Sequence, residues 1–321
     1  MGRSKKLKNL HSVFKDKAKI IKAKFSFTNH ITSSIQIAVL RATTRSARSP
    51  PPDHLISALV SFSCTTRHSA IACISTIINR LHHHYQPNAY VTLKCLLTLH
   101  HMIINGSFVL NEQISFQPMS TTSFGFLNLS RFVDDTDMQS REFSLWAQWY
   151  ARFLENNLST STILGCYLLS KSEIEKKKEN LKFSLYIDLF KEIEALVSTV
   201  EEISKAPKSL HCQKNDIIYE VTKLVGEDYR MIQYHTMIRL TELSDRVQNF
   251  STNELNKLTR CLERLETCKE RLTELFMNKR RNQSFWDLET ELMAKLMWLK
   301  EDMEMKSVSL KMIEYETDQL S

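Results

Sequence analysis

Apolar residues recur at three- and four-residue spacing along most of this chain, the period of one helix face packed on a core. That spacing predicts helices near 31–45, 54–64, 67–84 and 88–104, an aromatic helix in SREFSLWAQWYARFLENNL (140–158), and a few long helices between about 180 and 316. A short helix is expected in SFGFLNLSRFVDD (123–135). In NELNKLTRCLERLETCKERLTELF, the residues Leu255, Leu258, Leu262, Leu265, Leu272 and Phe276 form a near-heptad stripe. Lys269 interrupts it, which favours packing inside a helical bundle over an extended coiled coil. No alternating strand pattern of useful length is present. The fold class is therefore all-α.

The first helix differs from the rest. LKNLHSVFKDKAKIIKAKF places Leu7, Leu10, Phe14, Ala18, Ile21 and Phe25 on one narrow stripe. Lys8, Lys15, Lys19 and Lys22 flank it on one side, and Lys6, Lys17 and Lys24 on the other. A helix of this kind lies in a bilayer interface with its stripe down and its lysines toward head groups. The same pattern also suits a core-facing helix with a solvated basic face.

Charge separates the two readings. Residues 1–50 carry twelve Lys and Arg against a single acid, Asp16, while the whole chain has 43 basic and 36 acidic residues. The excess of positive charge is thus confined to one end, and the remainder is slightly acidic. A localised basic segment points to an anionic partner at that end.

Composition excludes several classes. The chain has 321 residues, 42% hydrophobic, enough to bury a core. It has five glycines, and neither GxGxxG nor GxxxxGK[ST] occurs, which argues against doubly wound sheets and nucleotide-binding loops. The seven cysteines form no CxxC pair and sit among apolar neighbours, the pattern of buried reduced thiols in a cytosolic protein. No signal peptide and no uncharged run of about 20 residues is found, so membrane contact is made from the surface. His82, His83 and His84 are adjacent and point about 100° apart on a helix, so they cannot converge on one metal ion. No nucleophile or metalloprotease motif appears, and the chain reads as a non-enzyme without a cofactor. The basic end also suits nucleic acid, but no zinc finger, aromatic RNA-binding motif or bZIP register accompanies it.

Between two predicted helices lies RATTRSARSPPPDHL (41–55). Three prolines cannot continue a helix, so the first helix ends before them. Arg41 and Arg45, four apart, are expected on one face at its end. Asp53 is placed to cap the next helix and His54 lies in its first turn. A helix start presents unpaired N–H groups and partial positive charge, a natural anion site.

LRATTRSARSPPPDHLISAL resembles the phosphoinositide-binding motif of ANTH domains, found in clathrin-assembly proteins. That motif runs Lys-Ala-Thr-Thr-His, four residues, Pro, three mostly basic residues, His, Leu. Arg41 stands for the Lys, Ala42, Thr43 and Thr44 match, Arg45 stands for the His, and Pro50, His54 and Leu55 match. Pro51, Pro52 and Asp53 occupy the places of the usual lysine cluster. LTLHHMIINGSFVL, LNLSRFVDD and WYARFLE are similar to further family segments in the same order, and the likeness spans about residues 1–316. The sequence, including its basic MGRSKKLKN start, is similar to divergent plant-type clathrin assembly proteins.

The resemblance implies an ENTH-like superhelical solenoid of antiparallel helices continued by long C-terminal helices. Its parts are a basic amphipathic helix over 1–25, the solenoid over 26–170, the long-helix part over 171–316 and a short tail over 317–321. It implies binding of phosphatidylinositol 4,5-bisphosphate through Arg41, Arg45, Arg48, His54, Lys5, Lys6, Lys8 and Lys15, with Leu7, Leu10, Phe14 and Ile21 entering the membrane. It further implies a peripheral adaptor of clathrin-coated pits and vesicles at the plasma membrane or Golgi, partnered by clathrin heavy chain and adaptors. The alternative is a helical scaffold that binds vesicle SNARE helices with loose membrane attraction. The DPF, NPF and DLL tripeptides of family tails do not occur in this sequence.

Overall fold

The computed structural model describes residues 14, 16–22, 30–45, 49–82, 87–105, 127–165, 181–208, 215–276 and 283–319. After a leading helical segment at 16–22, the helices are α1 (His30–Ala42), α2 (Asp53–Thr65), α3 (Arg67–His82), α4 (Ala89–Asn105), α5 (Met138–Leu164), α6 (Tyr186–Ser204), α7 (Asp216–Arg246), α8 (Thr252–Phe276) and α9 (Gln283–Gln319). No strand occurs among the described residues, and the chain is all-α.

Contacts divide it into two compact units, Met1–Thr162 with Lys205–Glu227, and Ile163–Ser204 with Asp228–Ser321. In the first unit α1 packs on α2, α3 and α4, while α4 also packs on α2 and α3. This stacking of successive helices is the packing mode of an α-solenoid. Every residue of α4 from Ala89 to His100 is buried, as its sequence AYVTLKCLLTLH, apolar on all sides, requires. Ile35, Val39, Leu59, Ile74 and Ile77, on the helices packed against it, are fully buried. The aromatic run of α5 buries Phe143, Trp146, Trp149, Tyr150 and Phe153. Tyr150 Oη lies 2.7 Å from Nδ1 of the buried His100. In the second unit α8 packs on α6 and α9. The leucine stripe of α8 is buried from Leu255 to Leu272, and Lys269 lies 5.2 Å over the Trp286 ring. The interruption in the heptad therefore falls where α8 meets an aromatic side chain of α9.

Local signals set the helix ends. Ser251 and Glu254 form a capping box, with Ser251 N–H donating to Glu254 Oε2 at 2.8 Å. Asn88 Oδ1 accepts from Val91 N–H at the start of α4, and Asp137 Oδ1 from Ser140 N–H at the start of α5. Gly165, φ 61°, follows α5 in the left-handed conformation that ends helices.

The helix expected within 123–135 is not formed over 127–135, which is turn and extended chain. Side chains take up its backbone groups. Leu127 N–H donates to Glu155, Asp134 N–H to Ser144 Oγ, and Gln148 donates to the Phe132 carbonyl. Asn128 sits at φ 42°. Four of the five described cysteines are buried and all five are free thiols; Cys64 is exposed, against expectation, because it points away from the face that buries Leu59 and Ser63.

Candidate anion site at the triple-proline turn

The turn is built by two helices that stop and start within eleven residues. α1 ends at Ala42, three residues earlier than its apolar period suggests. Thr43 turns back on the helix, its N–H and Oγ1 both reaching the Val39 carbonyl. The carbonyls that follow are taken by cations from the helices packed against α1. Arg80 of α3 donates to the Thr43 carbonyl at 3.3 Å, and Lys94 of α4 donates to the Thr44 carbonyl at 3.0 Å. These tertiary caps replace the next helical turn. Arg45 therefore lies beyond the helix, in a bend, and the helix face it was expected to share with Arg41 is not formed.

α2 begins at Asp53, and its N-cap is Pro52 in extended conformation without a side-chain cap bond. The Pro52 carbonyl accepts from Leu55 and Ile56 N–H. Asp53, expected as the cap, is instead the first helical residue, where its carboxylate still meets the positive end of the helix. His54 is second and exposed.

Arg45 is drawn to Asp16. Its Nε lies 3.6 Å from Asp16 Oδ2, and both side chains are 11% exposed. Asp16 is held more tightly by Arg80, in a bidentate pair of 2.8 and 2.7 Å. Burial lowers the Arg45 pKa, and the nearby carboxylate of Asp16 acts against that shift. The lone acid of the basic N-terminal segment thus points inward and joins that segment to α3 and the turn.

The other described residues of 14–22, apart from the half-buried Ile20, face outward. Phe14 is 65% and Ile21 56% exposed, and Lys17, Ala18, Lys19 and Lys22 are exposed with them. Among the sequence-expected site residues, Arg41 is exposed in the last turn of α1 and His54 is exposed at the start of α2. Lys5, Lys6, Leu7, Lys8, Leu10, Lys15 and Arg48 lie outside the described residues. The sequence reading passed over Arg80 and Lys94. Each is a lone cation in an otherwise apolar helical stretch, IINRLH and AYVTLKCLL, and that is a legible sign of an internal partner.

Comparison with known proteins places this geometry. The ANTH domain profile matches residues 34–288, which include the turn. The Arabidopsis thaliana protein named "Putative clathrin assembly protein At4g40080" is 35% identical over 280 residues, 86% of this chain and 76% of that one. A second from the same plant, At5g65370 of the same description, is 32% identical over 89% of this chain and 98% of its own length. Superposition on the ENTH domain from epsin-2, solved in complex with phosphatidylinositol 4,5-bisphosphate, covers 81% of this chain and 96% of that one, at 15% identity and a TM-score of 0.47, too loose a likeness to carry weight. The chain belongs to the ANTH domain family.

Proposed function

We propose that this chain is a peripheral membrane adaptor of clathrin-mediated endocytosis that docks on phosphoinositide at the cytosolic leaflet of the plasma membrane. Family membership and the clathrin-assembly names of its relatives support the adaptor role. One observation carries the membrane part. The outward face of the leading segment is apolar and basic, with Phe14, Ala18 and Ile21 flanked by Lys17, Lys19 and Lys22, while Asp16 is turned inside. A face of that composition matches a lipid interface, apolar side chains below the head groups and lysines among them. Arg41 and His54 at the triple-proline turn add exposed charge and donors beside the start of α2, where a phosphate is favoured. Lys5, Lys6, Lys8, Lys15, Arg48, Leu7 and Leu10 extend this reading along the sequence. Clathrin heavy chain and adaptors are the proposed protein partners.

Vesicle co-sedimentation tests the reading. Vesicles containing phosphatidylinositol 4,5-bisphosphate are expected to pellet the protein and neutral vesicles to leave it in solution. Arg41→Ala with His54→Ala is expected to weaken binding about tenfold, since a basic residue near an anionic surface contributes ~1 kcal/mol. Equal partition onto neutral and phosphoinositide vesicles would overturn the proposal.

A further inference from the structure

We propose that the groove between the N-terminal halves of α6 and α8 docks a short acidic peptide with an apolar anchor, a linear segment of a partner protein. The site lies wholly within the second unit and uses none of the residues assigned above to the membrane.

The apolar part comes first along the chain. Phe183, Leu185 and Ile187 are 87%, 68% and 78% exposed, and no other five consecutive described residues expose three large apolar side chains. A cluster of this kind marks an interaction surface. Its backbone is held in place. Arg246 donates to the carbonyls of Leu181, Lys182 and Ser184, is itself held by Glu242, and lies over the Tyr186 ring. The apolar side chains are thus presented on an ordered backbone, which lowers the entropy lost when a partner binds. Ile187 and Phe190 continue into a groove of about 490 Å³ whose other wall is α8. That volume suits the anchor residues of a short peptide.

Charge selects the occupant. Lys191 of α6 and Lys257 and Arg260 of α8 line the groove and are exposed. None of the three has a hydrogen bond or ion pair among the described residues, and Lys257 acts on Glu254 only through space. The acids of the same walls are already committed. Glu194 pairs with Arg264 and accepts from Cys261 Sγ, and Glu254 accepts from Ser251 N–H and Oγ. Asp188 is exposed on α6 but does not line the groove. Beyond residue 50 the chain carries more acid than base, so this cationic rim is not the general character of its surface. A flat bilayer would leave the groove unfilled and would meet the half-exposed Glu194. A polyanion without apolar groups would leave Phe183, Leu185 and Ile187 in water. A peptide that sets apolar residues between Asp or Glu matches both features.

An array of short synthetic peptides supplies the probes, each with Phe, Leu, Ile or Met at two central positions and flanks made of Asp and Glu, of Ser, or of Lys. By fluorescence anisotropy the full chain is expected to bind the best acidic peptide about tenfold more tightly than its serine-flanked counterpart, and the lysine-flanked set not at all. The lysine-rich N-terminal segment attracts any polyanion, so variants at the groove decide the site. Lys257→Glu with Arg260→Glu, and separately Ile187→Ser, are expected to weaken that peptide about tenfold. All three side chains are exposed, so the urea midpoint should stay unchanged. In the wild type the same peptide is expected to slow hydrogen exchange over 187–194 and 254–261. Equal binding of acidic and serine flanks, or undiminished binding when the two central residues are Ser, would overturn the proposal. So would unchanged affinity in both variants with no protection over those segments, since the peptide would then sit elsewhere. Loss of vesicle binding in the groove variants, with no acidic peptide bound by the wild type, would show a membrane contact there and overturn the peptide assignment.

Discussion

Lys94 carries its ammonium into the interior of the first unit, 1% exposed, and donates to the Thr44 carbonyl at 3.0 Å. Burial pushes its pKa down to about 8, from a usual value near 10.5. A base lowered in the folded state loses its proton first there, so the unfolded chain holds more protons between those two pH values. Stability therefore rises with pH across that window. Relative to Lys94→Met, the wild type is expected to gain on the order of 2 kcal/mol between pH 7.5 and pH 10, read as the change in the difference of urea unfolding free energies. A parallel pH dependence of the two proteins would contradict it. At this scale the sequence marks the residues but not their partners. Asp16 is conspicuous as the single acid among the first fifty residues, and Arg80 as a lone cation on an apolar stretch. That they meet across 64 positions is a fact of packing, since no periodicity relates residues so far apart in the chain.

Helices are where periodicity speaks most directly. The expected runs at 54–64 and 67–84 are formed as Asp53–Thr65 and Arg67–His82, and the capping box at Ser251 and Glu254 starts α8. The segment 127–135 is turn and extended chain instead of the expected helix, because Ser144 and Gln148 of α5 bind its backbone groups and the Asp134 carboxylate accepts from Ala89 N–H at the start of α4. A comparable tertiary hold supports the entry to α6. Arg246 donates to the carbonyls of Leu181, Lys182 and Ser184, and lies over the Tyr186 ring. Arg246→Ala removes all three bonds. It is expected to destabilise the second unit by about 2 kcal/mol and to speed hydrogen exchange over 185–189. The seam of α8 and α9 has its own titration. Burial and the neighbouring Glu266 carboxylate raise the Glu289 pKa to about 7. An acid raised in the folded state holds its proton longer there, so its contribution is present in acid and fades as pH rises from about 4.5 through 7. Wild type is expected to lose on the order of 1–3 kcal/mol over that range relative to Glu289→Gln, measured by denaturant midpoints at pH 5 and pH 7.5. An unchanged difference between the two would remove Glu289 from that account.

On the scale of the whole molecule, the separation of charge governs behaviour. The basic excess sits in the N-terminal fifty residues, and the rest is slightly acidic. No helix among the described residues is long and apolar enough to cross a membrane. Adsorption to acidic vesicles should therefore weaken by an order of magnitude or more between 0.1 and 0.5 M salt, as the Debye length shrinks from about 10 Å to under 5 Å. Phe14→Ser with Ile21→Ser should lower affinity at every salt concentration and leave the salt dependence unchanged, because burial of apolar area is not screened. Co-sedimentation across a salt series measures both, and a loss confined to low salt would contradict the apolar contribution.

The sequence by itself determined the helical class, the order of the helices, the basic leading stripe and the family motif at residues 41–55, because each is written in local spacing and local composition. Only the tertiary structure decided where α1 stops, which side of the leading segment faces water, and that Arg45 turns to Asp16 instead of standing beside Arg41. Those outcomes depend on which buried cations need acceptors. Arg80 and Lys94 find theirs on a turn thirty-seven and fifty residues away, and a sequence read by its own neighbours has no term for such a distance.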